Sequence, residues 1–143
     1  MTRARPARRE GMRVALIAPC GMNCRLCRAY MRVTNACPGC RADDSGKPKT
    51  RVFCRIKTCE KMKSGWARYC FACDNFPCAR LTHLDRRYRV KYEMSMIENL
   101  EYMKIYGVRR FIRNEKKKWT CPRCGDVLCV HESKCLRCHS LWR

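Results

Sequence analysis

Cys121-Pro122-Arg123-Cys124 and Cys135-Leu136-Arg137-Cys138 repeat a C-x2-C pair across ten intervening residues. Two such knuckles at that separation offer four thiolates to one tetrahedral ion, the donor set of a zinc ribbon. Pro122 and Gly125 suit the tight turn that aims backbone amides back at the sulfurs. Cys129, His131 and His139 are further donors in this segment. The spacing predicts a four-thiolate site, Cys129 and Val130 on a ribbon strand, and His131 at the surface.

The other ten cysteines allow several groupings. Cys24-x2-Cys27 and Cys37-x2-Cys40 stand nine residues apart and make a second four-cysteine set. Cys54-x4-Cys59 with Cys70-x2-Cys73 make a third, in which Cys78 can replace Cys54 or Cys59. Cys20 is left over and can displace a ligand of the second set. It also forms the triad Cys20-x3-Cys24-x2-Cys27, the spacing with which radical enzymes hold an iron–sulfur cluster. That chemistry needs a barrel of about 200 residues to bind its cofactor and bury a radical. Only residues 14–18 resemble a barrel strand, so the catalytic reading fails. An electron-carrying or structural iron–sulfur cluster stays open as the alternative, because thiolates serve iron and zinc alike. The expected cofactor is zinc, two or three ions.

Metal fits the rest of the chain better than disulfides do. The fifteen cysteines are odd in number, come mostly as C-x2-C pairs and follow no secretory signal. Arg8-Arg9 before the apolar residues 14–18 imitates an export signal. Five apolar residues fall short of the about 7–15 of a signal core, and Pro19 occupies the small-residue position. The expectation is a cytoplasmic protein with no membrane span, in which Met12 is an alternative start. The formal charge is +21. Each four-thiolate zinc site lowers it by two, which still leaves a strongly basic surface suited to polyanions or simply to solubility.

Positioning falls to a few elements. Residues 1–13 read as a basic disordered arm, 14–80 as a cysteine-rich metal-binding module, 81–118 as a helical connector and 119–143 as the ribbon. The expected fold class is a small metal-stabilised α+β protein. In the connector, Ser95 with Glu98 three residues on forms a capping box, Ile97, Leu100 and Met103 keep helical period, and Gly107 ends the helix. A second helix is predicted over Val108–Lys118, with Val108, Phe111, Ile112 and Trp119 on one side, and a shorter one around residues 79–87. Residues 43–48 read as an exposed turn. His83, between Leu81 and Leu84, reads as structural, and Asp85 as one half of a charge pair.

The strings APCGMNCRLCRAY, CPGC, CRIKTC, YCFACDNFPCARL and YRVKYEMSMIENLEYMKIYGVRRFI together resemble a family of small prokaryotic cysteine-rich proteins classed as a domain of unknown function with predicted zinc binding. The resemblance covers about residues 17–113. The matching positions are Cys20, Gly21, Cys24, Cys27, Cys37, Cys40, Cys59, Cys70, Cys73, Phe76, Pro77 and Cys78. It implies metal binding and no particular reaction. The heavier arginine content and the arm depart from that pattern.

Three functions compete. The leading one is a non-enzymatic zinc protein that binds nucleic acid, RNA favoured, through Arg109, Arg110, Arg113, Lys116, Lys117, Lys118, Lys134 and Arg137, with Trp142 either a stacking ring or a cap on the ribbon. The second is a protein-interaction adaptor whose Met94, Met96, Tyr102, Met103 and Tyr106 form either an adaptable apolar surface or the core between the metal modules. The third is a redox or electron-transfer protein. No acid–base constellation, glycine-rich phosphate loop or small-molecule site stands out.

Overall fold

The computed structural model describes residues 11–52, 54–65 and 67–143, so residues 1–10 of the expected arm lie outside it. The cysteine-rich half is a chain of turns. Three-residue 3-10 turns at Val14–Leu16, Cys24–Leu26, Asp44–Gly46 and Cys70–Ala72 are interspersed with four-residue helices α1 (Arg28–Met31), α2 (Lys49–Val52) and α3 (Glu60–Lys63). None of these is long enough to hold itself together by helical hydrogen bonding. At the turn expected near residue 43, the Asp43 carboxylate accepts from the Ser45 amide at 2.8 Å.

Three longer helices follow: α4 (Ala79–Tyr92), α5 (Met96–Tyr106) and α6 (Val108–Lys118). The Ser95 hydroxyl accepts from the Glu98 amide at 3.0 Å, so the serine half of the capping box forms as expected. Gly107, at φ 91°, accommodates the reversal into α6. Helix α4 runs five residues beyond its expected end. Its last turn carries Tyr88 and Tyr92, whose rings pack edge-on against His131 with centroids 5.7 and 4.8 Å away. That contact stabilises a turn for which the local sequence has no signal.

The α+β expectation is not met: among the described residues there is no strand, only the single-residue bridges Ile17–Asn23, Thr120–Val127 and Lys134–Leu141. The ribbon segment is too short to pair twice, because its middle is committed elsewhere. The Val130 amide donates to Leu26 at 3.0 Å, which takes Cys129 and Val130 off the expected ribbon strand and onto the first cysteine knuckle.

One apolar core joins these parts. Ile17 and Leu26 from the turns and Tyr30 of α1 meet Leu81 of α4, Met96, Leu100 and Met103 of α5, and Val130 of the ribbon, all at most 2 % exposed. Burying such a side chain contributes about 1.5–3 kcal/mol. Met94, Met96 and Met103 are therefore core, and only Tyr106 of that aromatic and methionine group is exposed. Gly21, at φ 92°, lies so close to α5 that an added Cβ would meet the Met96 carbonyl at 2.8 Å. Asn99 of α5 then donates to the Gly21 carbonyl at 3.1 Å. Asp85 ties α4 to the start of α5 by accepting from Ser95 Oγ at 2.7 Å and the Ile97 amide at 3.0 Å, and it pairs with Arg89. Among the described residues no helix is long and apolar enough to cross a membrane.

Candidate metal centre

Helix α6 delivers Trp119, 3 % exposed, to the foot of the ribbon. There the chain makes the same turn twice. In the first, the Gly125 amide donates to the Cys121 carbonyl and the Cys121 amide to that of Asp126. In the second, the His139 amide donates to the Cys135 carbonyl and the Cys135 amide to that of Ser140. The residue after each pair is left-handed, Gly125 at φ 80° and His139 at φ 63°. His139 therefore holds the position of a glycine and is not among the grouped donors.

The repeated turn brings four sulfurs together. Cys121 Sγ lies 3.7 Å from Cys138 Sγ, Cys124 Sγ lies 3.5 Å from Cys135 Sγ, and all four sulfurs are within 4.8 Å of one another. Four thiolates around one ion at a metal–sulfur distance near 2.3 Å require sulfurs about 3.8 Å apart. This group could hold a metal ion. The amides of Cys124 and Arg123, with the Ser140 hydroxyl, bring the Cys121 thiol down to about 6 against the burial that opposes them. Ser140 also lowers Cys138, from 2.9 Å. The serine is missed by spacing arguments, which read only cysteine and histidine.

Around the centre the rings are structural. Trp142 meets Trp119 edge-on at 5.3 Å and carries the Arg143 guanidinium 4.7 Å from its centroid, the arrangement of a cap. His131 is half-buried rather than on the surface. Its Nδ1 accepts from the Arg28 amide at 3.1 Å, which puts the ring proton on Nε2, 2.9 Å from the Tyr88 hydroxyl. Arg28 further pairs with Glu132 at 2.8 Å.

In the cysteine-rich half, Cys20, Cys24, Cys37 and Cys70 are buried, and Cys27, Cys40, Cys54, Cys59, Cys73 and Cys78 are half-buried. The Cys40 amide donates to Cys24 Sγ at 3.4 Å, which joins the first two C-x2-C pairs. Burial raises the Cys20 and Cys70 thiols, Cys70 to about 12, and neighbouring cysteines push each further. Among the described residues, no three of these sulfurs are as close as the ribbon's. Cys129, fully buried, lies in the loop that docks on Leu26.

The cationic residues expected to contact a polyanion are all exposed: Arg109, Arg110, Arg113, Lys116, Lys117 and Lys118 on α6, and Lys134 and Arg137 on the ribbon. The one acid of α6, Glu115, is turned inward and accepts from Asn23 Nδ2 at 3.5 Å and Trp119 Nε1 at 3.1 Å. Burial raises its carboxyl above the usual range. Among the described residues none of the six α6 cations forms an ion pair.

Residues 16–83 match the model of a family described as a protein of unknown function (DUF3795). The matched segment holds the ten cysteines before α4 and ends within that helix, so the ribbon lies outside it. No curated protein and no solved structure matches the chain.

Proposed function

We propose that the chain is a non-enzymatic zinc protein that binds nucleic acid, RNA in preference to DNA. The carrying observation is the outward face of α6, six exposed cations whose only acidic neighbour on the helix is buried. A cationic face with no ion pair among the described residues attracts phosphates and releases their counterions. Arg110 holds its guanidinium 4.7 Å from the ring centroid of Tyr106, a half-exposed aromatic on which an unstacked base could lie. Unstacked bases are a feature of RNA loops, and this favours RNA.

Zinc is the ion proposed for Cys121, Cys124, Cys135 and Cys138, because a closed set of four thiolates leaves no open position for a substrate. Bound there, it would supply folding energy that a 25-residue ribbon lacks. Trp119 transmits that rigidity to the end of α6, while Lys134 and Arg137 extend the cationic face onto the ribbon.

The test is the anisotropy of a labelled RNA hairpin titrated with the zinc-loaded protein at several salt concentrations. Six phosphate contacts predict a slope of about −4 in log affinity against log salt. Reversing Arg109, Arg113, Lys116 and Lys117 to Glu should weaken binding at least about tenfold while the circular dichroism stays unchanged. A flat salt response, or full binding by the reversed protein, overturns the proposal.

A further inference from the structure

Away from the ribbon, a cavity of about 30 Å³ is lined by four cysteines, Cys59, Cys70, Cys73 and Cys78. Three separate local devices bring them there. Cys70 opens the 3-10 turn Cys70–Ala72, whose closing bond runs from the Cys73 amide to the Cys70 carbonyl at 3.1 Å. The Cys70 amide is in turn anchored on the Pro19 carbonyl at 2.9 Å, so this knuckle cannot drift from the core. Cys78 is the residue preceding the fourteen-residue α4, and Cys59 precedes α3. Neither uses its side chain to cap its helix, which leaves both sulfurs available to the cavity.

The surroundings suit thiolates shared by a cation and little else. Ile56 and Leu81 form apolar wall, and the exposed lining is entirely apolar. Isolated thiolates would be costly in such a space, whereas four thiolates around a dication leave only two negative charges. Lys61 and Arg80 line the same cavity, and the Arg80 guanidinium donates to the Arg55 carbonyl at 3.2 Å. A cavity of about 30 Å³ exceeds the about 10–15 Å³ that one water-sized sphere needs. That is room enough for a single ion among the four sulfurs.

We propose that Cys59, Cys70, Cys73 and Cys78 bind a second zinc-sized, thiophilic metal ion, independently of the ribbon. The assignment selects among the groupings the spacing allows. Cys54, four residues before a turn bond from Thr58 to its carbonyl, does not line the cavity, and Cys78 takes its place. It does not depend on nucleic-acid binding.

Native mass spectrometry of the zinc-loaded full chain, together with elemental analysis, tests it. Cys78→Ser should carry one ion fewer than the wild type, and Cys54→Ser should carry the same number. Because Cys78→Ser could unfold α4, a second measurement uses the unaltered protein. Cobalt is loaded in place of zinc and each cysteine is scored for alkylation as chelator is added. Cys59, Cys70, Cys73 and Cys78 should gain label together, at chelator concentrations different from those that release the ribbon cysteines. Loss of the ion by Cys54→Ser with retention by Cys78→Ser overturns the proposal. So does label entering the four cysteines while all metal is still bound, or iron with acid-labile sulfide in place of a single ion.

Discussion

The ribbon and the α4 cavity both present four cysteines, but they assemble them differently. In the ribbon one turn is made twice, and each copy places its two sulfurs by its own backbone bonds. The sulfurs are already within 4.8 Å of one another. In the cavity one knuckle meets two cysteines from the starts of separate helices, and no three sulfurs reach that distance. A site of the first kind is encoded within 18 residues of sequence. One of the second kind exists only when Pro19, α3 and α4 have found one another. The first should therefore close around metal with little rearrangement, and the second only as part of the core.

The hardest blow to this contrast is Cys121→Ser. It should abolish metal binding at the ribbon and remove a contribution on the order of 10 kcal/mol to the order of residues 119–143. Hydrogen exchange should then show fast amides there while Leu81 and Leu100 in α4 and α5 stay protected. If protection vanishes throughout, the bonds from His131 and Val130 to the first knuckle are stronger than the contrast allows.

A smaller effect sharpens the cavity side, because Asp85 fixes α4 against α5. Burial would raise its carboxyl, but Ser95, the Ile97 amide and Arg89 outweigh this and hold it below 3.8. A carboxyl lowered in the folded state adds stability above its unfolded value, and that stability is lost as pH falls through the folded one. Thermal melts should therefore show the Asp85 contribution intact at pH 6 and shrinking below about pH 4. Asp85→Asn should cost about 1–3 kcal/mol at neutral pH and flatten that acid limb. An unchanged limb would dismiss Asp85 as the clamp.

The mildest change probes the ribbon's repeat. His139 sits at φ 63° where the first turn uses glycine. His139→Gly should relieve strain and raise stability by up to about 1 kcal/mol, measured as the chelator concentration needed to strip the ribbon. A loss of metal affinity would instead make His139 a contributor to the site.

Local signals account for what was readable beforehand. Helix α6 begins and ends where its pattern places it, and α5 begins at its cap, because Ser95, Gly107 and the apolar period act within a few residues. The ribbon's four thiolates were legible for the same reason. The last turn of α4, the bond of Ser140 to Cys121, the bond of Glu115 to Asn23 and the seating of His131 between Arg28 and Tyr88 were not, since each depends on a partner many residues away. The expected ribbon strand failed for that cause too: Val130 had a distant carbonyl to bond.

The edge-on pair of Trp119 and Trp142 gives the ribbon its own optical reporter. The chain has three tryptophans, and two of them touch at the foot of the thiolate site, with Trp119 bonded to Glu115. Their emission should shift to the red when the ribbon opens. Zinc loading can then be followed on unlabelled protein.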